Sequence, residues 1–108
     1  MSDIHTFVMA CYSNNIDAVR QLINKVDVNG LRGGYTGLIV AMCSNYQDIV
    51  RMLLDHPNIE LDRTDSYWKM TGLHWSCYHN HIQCVRLFLA HDKSVRDKSL
   101  LCDSITKT

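Results

Sequence analysis

The chain has 108 residues and balances eleven Lys plus Arg against eleven Asp plus Glu. That length supports one domain, and the neutral charge excludes the polybasic footprint of a nucleic-acid or anionic-lipid binder. No apolar run approaches the roughly 18 residues of a membrane span, and the opening MSDIHTF lacks the charged-then-apolar order of a secretory signal.

Cysteine usage bounds the redox setting. Five is an odd number, and Cys11, Cys43 and Cys77 fall inside helical apolar patterns. They read as reduced thiols serving as small hydrophobes, in cytoplasm or nucleus, and a disulfide framework is not expected.

The chain repeats itself. Residues 35–57, YTGLIVAMCSNYQDIVRMLLDHP, return 35 residues later as residues 70–92, MTGLHWSCYHNHIQCVRLFLAHD. A looser copy, HTFVMACYSNNIDAVRQLINK, stands 31 residues earlier at 5–25, where Asn14 falls on Asn45 and Val19-Arg20 on Val50-Arg51. Self-similarity at such a period marks a repeat architecture.

Each copy holds two short helical patterns. In the middle copy Leu38, Ala41 and Met42 share one helical face, and Ile49, Val50, Leu53 and Leu54 share another. Asn14, Asn45 and Asn80 stand between the paired segments. Asn tolerates the left-handed conformation that ends a helix, so each first helix is predicted to stop there. The second helices are predicted to open near Ile16, Gln47 and Ile82, with Asp17 and Asp48 in the first turn where the helix dipole favours acids. Between hairpins, residues 26–34 (VDVNGLRGG) and 58–69 (NIELDRTDSYWK) read as extended turns, and Pro57 ends the helix before it.

A unit of turn, helix, tight turn and helix, with Thr-Gly-Leu-Ile at 36–39 and Thr-Gly-Leu-His at 71–74, resembles the ankyrin repeat, whose first helix opens with Thr-Pro-Leu-His. Val50 with Leu53-Leu54, and Val85 with Phe88-Leu89, match that family's second-helix core. The resemblance implies an all-α, ankyrin-like solenoid of helix-turn-helix units with extended turns between them. The expected organisation is three units, at about 4–34, 35–69 and 70–92, and a C-terminal tail or aborted cap at 93–108. Gly37 and Gly72 depart from the pattern, standing where the family places proline. Glycine at a first helical position is expected to cost up to about 1 kcal/mol each. No fourth hairpin pattern follows residue 91, so Leu87 and Phe88 are expected to lie partly open, with marginal stability, a tail folded over that face, or self-association as the result.

In the resembled fold, partners meet the late positions of each first helix and the turn tips. Here those inner positions are Tyr12 and Ser13, Cys43 and Ser44, and Tyr78 and His79. The tips present Arg32, Gly33 and Tyr35, then Ser66, Tyr67, Trp68 and Met70. Tyr, Trp, Met and Arg are the residues that interfaces favour. The bland alternative folds Trp68 back over its own hairpin. Trp75 reads as a packing residue. The resemblance makes His74 a structural histidine that ties up backbone groups at the turns. Arg20, Arg51 and Arg86 recur on what should be a solvated outer face, with Asp17 and Asp48 placed for i, i+3 pairing.

Cys77, His79, His81 and Cys84 are the one group that could do chemistry. Two thiols and two imidazoles would satisfy tetrahedral zinc, but C-x-H-x-H-x-x-C is not a usual zinc spacing. The leading expectation is a non-catalytic module, or scaffold, that binds another protein through its concave face and tips without a cofactor. One alternative is a segment of a longer ankyrin scaffold. Another is a zinc- or redox-responsive module on the four residues just named.

Overall fold

A computed structural model describes residues 3–91. Six helices run in three hairpins, α1 (Asp3–Tyr12) with α2 (Ile16–Leu22), α3 (Gly37–Cys43) with α4 (Gln47–Leu54), and α5 (Gly72–Tyr78) with α6 (Ile82–His91). The described residues form no strand; Arg32 and Tyr35 make one isolated bridge. The fold is an all-helical solenoid of helix-turn-helix units, with second helices opening at the residues the sequence indicates.

Backbone geometry explains the hairpins. Asn14, Asn45 and Asn80 sit at φ 56°, 62° and 61°, the left-handed turn at which a helix stops and reverses. Thr36 and Thr71 cap the starts of α3 and α5, their hydroxyls accepting from the amides of Ile39 and His74 at 3.2 and 3.1 Å. His74 closes a capping box by accepting from the Thr71 amide at 3.2 Å, the structural role expected of it.

The first helices pack in one row, α1 on α3 and α3 on α5, and the second helices in another, α2 on α4 and α4 on α6. Phe7, Met42, Ile49, Leu53 and Phe88 fill the space between them. Neighbouring units also bond through polar atoms. The Met42 carbonyl, near the end of α3, accepts from the Ser76 hydroxyl at 3.1 Å and meets His81 Nδ1 at 3.1 Å, beside the Asn45 amide of its own turn at 3.4 Å. The Asn29 amide donates to the Asn58 carbonyl and accepts from the Glu60 amide, both at 2.8 Å, and so joins the two extended turns.

Two expectations are corrected. A Cβ on Gly37 would stand 2.9 Å from Cys11 Sγ and 3.0 Å from the Phe7 ring, and one on Gly72 would stand 2.8 Å from Met42 Sδ. The glycines therefore let successive first helices approach closely, and this packing opposes their propensity cost. Phe88 is 2% exposed and so does not lie open as expected, whereas Leu87 is half-buried and only partly open. Residues 93–108, read as a tail, lie outside the described residues.

Candidate functional site

The two turn tips are built differently and lean on each other. In the first, Arg32 and Tyr35 exchange backbone hydrogen bonds of 2.9 and 3.2 Å around Gly33 and Gly34, at φ 63° and 89°. This is a two-residue hairpin turn whose left-handed positions call for glycine. A Cβ on Gly34 would also approach the Tyr67 ring to 2.7 Å. The second tip lies against the first, with the Ser66 amide donating to the Gly34 carbonyl at 2.9 Å and the Tyr35 and Tyr67 rings 5.7 Å apart.

Asp65 organises the second tip. It is fully buried, and its Oδ1 accepts from the amides of Tyr67 at 2.9 Å and Trp68 at 2.6 Å. Its Oδ2 accepts from the Met70 amide at 3.3 Å and from the Trp75 indole at 2.8 Å. Burial alone would raise this carboxyl's pKa, but the four donors outweigh it and hold the group below the usual carboxylate range. Lys69 is held at φ 55° within this loop. The fixed backbone turns Tyr67 and Trp68 outward, at 65% and 68% exposed. Trp68 does not fold back over its hairpin.

Around the tips runs a groove. Its two lobes, of about 270 and 180 Å³, share Tyr12, Tyr35 and Val40. Arg32 and Met9 line the first lobe, and Cys43, Ser44 and Trp75 the second. Tyr12 is 62% and Tyr78 71% exposed. Trp75 is half-buried and joins them, its ring stacked on exposed His79 at 5.7 Å and edge-on to Tyr78 at 6.1 Å. Of the residues singled out in the sequence, Tyr12, Arg32 and Tyr35 thus meet in one groove, with Tyr67 packed against Tyr35. Tyr78 and His79 gather around Trp75, while Met70 is half-buried and bound to Asp65 through its amide.

Three contributors were missed. Trp75, a packing residue by its place in the repeat, also lines the groove. Val40 stands off the core face set by Leu38, Ala41 and Met42, and no sequence pattern marks it for the groove it lines. Asp65 bonds locally to the amides of residues 67, 68 and 70, but its indole partner lies ten residues away and carries no mark in the sequence.

The Cys and His group is dispersed. Cys84 is buried with its thiol 3.4 Å from Asn45 Oδ1, and His81 is turned to the Met42 carbonyl. His79 stacks on both Trp75 and His81. Cys77 is buried and disulfide-bonded, which corrects its reading as a reduced thiol. Among the described residues, no three His, Cys, Asp or Glu side chains are placed to hold a metal ion. Cys11, Cys43 and Cys84 are free. Burial pushes the Cys11 thiol up to about 12, and burial with the Asp65 charge raises Cys43. Burial raises Cys84 too, against a lowering by Arg51.

On the opposite surface, Arg20 pairs with Asp17 at 3.1 Å and Arg51 with Asp48 at 2.9 Å, the solvated i, i+3 pairs the sequence suggested. No described helix is long and apolar enough to cross a membrane.

The model of ankyrin repeats (3 copies) matches residues 3–65, more than half of the chain, and that of a single ankyrin repeat matches residues 68–98. No curated protein matches the sequence. Paired helices, asparagine turns and extended tips agree with these matches, and the chain belongs to the ankyrin repeat family.

Proposed function

We propose that the chain is a non-catalytic recognition module, which binds a partner protein through the groove and the two turn tips. Ankyrin repeats are generally protein-interaction modules. The supporting observation is the run of accessible aromatics on a fixed backbone. Tyr12, Tyr67, Trp68 and Tyr78 are each more than 60% exposed, on a face whose loops are tied by Asp65 and the Gly33-Gly34 turn. Large aromatics with a polar edge, held in place before binding, lose little entropy when a partner arrives. Arg32, Tyr35, Met70 and His79 complete the proposed contact set. The raised thiols and the saturated Asp65 carboxylate offer no activated nucleophile or free base, which favours recognition over chemistry.

The test is comparative capture. Three immobilised chains are used, namely wild type, a groove variant (Tyr12→Ala with Tyr78→Ala) and an outer-face variant (Arg20→Ala with Arg86→Ala). Retained proteins are quantified. Proteins held by wild type and the outer-face variant, but released by the groove variant, support the reading. Retention that follows the outer-face arginines instead refutes it.

A further inference from the structure

We infer that the groove receives a short peptide segment of the partner in which a large apolar side chain stands next to a carboxylate. This rests on the reading of the grooved face as a partner site and names the chemistry it would recognise. Shape gives the apolar half. The smaller lobe, about 180 Å³ between Tyr12, Tyr35, Val40, Cys43 and Trp75, has room for one large side chain and surrounds it with ring and methyl surface.

Charge gives the other half. Among the described residues, Arg32 is the one charged side chain lining the groove, and it makes no ion pair there. Its Nε donates to His5 Nδ1 at 2.7 Å, an anchor that holds the guanidinium beside Tyr35. The terminal nitrogens of Arg32 bond to no described residue, leaving a planar donor fork of the kind that takes a carboxylate in bidentate fashion. Lys69, exposed in the neighbouring tip, likewise has no described ion-pair partner. Arg20, Arg51 and Arg63 each pair with an acid three residues away, whereas Lys25 and Arg86 make no ion pair among the described residues but do not line the groove.

An aromatic groove also suits a cation, so that occupant has to be weighed. Among the described residues, Asp65 is the carboxylate whose charge reaches Tyr35 and Cys43. It is fully buried and its two oxygens take four N–H donors, so it has no face for an incoming ammonium. An ammonium would meet the Arg32 guanidinium instead. The charge a visitor meets at the surface is positive, which favours an acidic segment.

Selection of short random peptides displayed against the intact chain tests this, with recovered peptides measured by fluorescence anisotropy. The expected peptides carry Asp or Glu beside Phe, Leu, Met or Trp. They should weaken about tenfold with Arg32→Gln, less with Lys69→Gln, and further as salt rises. Tyr35→Ala, and separately Tyr12→Ala, should remove binding while circular dichroism shows each variant folded. Basic or uncharged peptides that need Tyr35 or Tyr12 but ignore Arg32→Gln would overturn the acidic class and leave the partner-face reading intact. Peptides indifferent to both tyrosines, or no enrichment at all, would overturn both.

Discussion

Replacing Asp65 by Asn is the sharpest test of how the second tip is held. The substitution keeps size and one carbonyl oxygen, so the amides of Tyr67 and Trp68 retain an acceptor. The other oxygen becomes an NH₂ group facing the Met70 amide and the Trp75 indole, both donors. The indole bond at 2.8 Å is lost, the longer Met70 bond goes with it, and two buried donors are left opposed. A hydrogen bond to a charged group contributes about 1.5–3 kcal/mol, and an unsatisfied buried donor costs about 1–3 kcal/mol. A total loss near 3 kcal/mol follows for Asp65→Asn. With an unfolding entropy of about 2.1 cal/mol/K per residue, this lowers Tm by roughly 13 °C. Thermal and urea unfolding followed by circular dichroism measure it. Trp75→Phe should cost less alone, and the double variant should cost clearly less than the sum, because the pair shares one bond. A loss below about 1 kcal/mol, or strict additivity with Trp75→Phe, would refute the central role given to this carboxylate. The pH dependence has a definite sign. The folded carboxyl has the lower pKa, so the unfolded chain takes the proton first as pH falls. The Asp65 contribution is intact above about pH 4 and drains away below it as the folded pKa is passed. The stability difference between wild type and Asp65→Asn should shrink over that acid range and stay flat near neutrality.

Asn45 stands at φ 62°, so Asn45→Ala should cost about 1–2 kcal/mol in urea unfolding. Asn45→Gly should cost less despite losing the contact with the Cys84 thiol, and equal losses would mean that backbone handedness is not what selects Asn there. Gly37→Ala should destabilise by about 1–3 kcal/mol despite alanine's better helix propensity, because the added Cβ meets Cys11 Sγ and the Phe7 ring. Adding Cys11→Ala should return part of that loss, and a stabilising Gly37→Ala would contradict the close-approach account. With its thiol pushed up to about 12 and no surface exposed, Cys11 should alkylate at pH 8 at least about a thousandfold slower in the folded chain than in urea. Half-buried Cys43 should react before it, as mass spectrometry of partial digests would show.

Much of the fold was legible because repeat physics is local. Three asparagines at equivalent places announced the reversals, and each occupies the left-handed conformation that its side chain tolerates. Periodic apolar residues separated the buried faces of α3 and α4 from the outer face, where Asp17–Arg20 and Asp48–Arg51 pair. What the sequence hid depends on contacts between units. Gly37 and Gly72 looked like weak helix starts until Phe7, Cys11 and Met42 were seen against them. Asn29 gave no sign of spanning two turns, since its partners lie 29 and 31 residues away. At the site, the turn-tip placement implied by the resemblance, together with composition, marks Tyr67, Trp68, Tyr35 and Arg32. The groove that Tyr35 and Arg32 line with Trp75 and Val40 appears once the first helices stack, and Asp65's role requires knowing that the tip folds back on α5.

The most direct measurement is hydrogen exchange of the chain, free and bound to a partner recovered by the groove-dependent capture. Added protection is predicted at residues 32–35 and 66–70 and along the last turns of α1, α3 and α5, with α2, α4 and α6 unchanged. Protection centred on the Arg20, Arg51 and Arg86 face, with both tips exchanging as freely as before, would contradict the account.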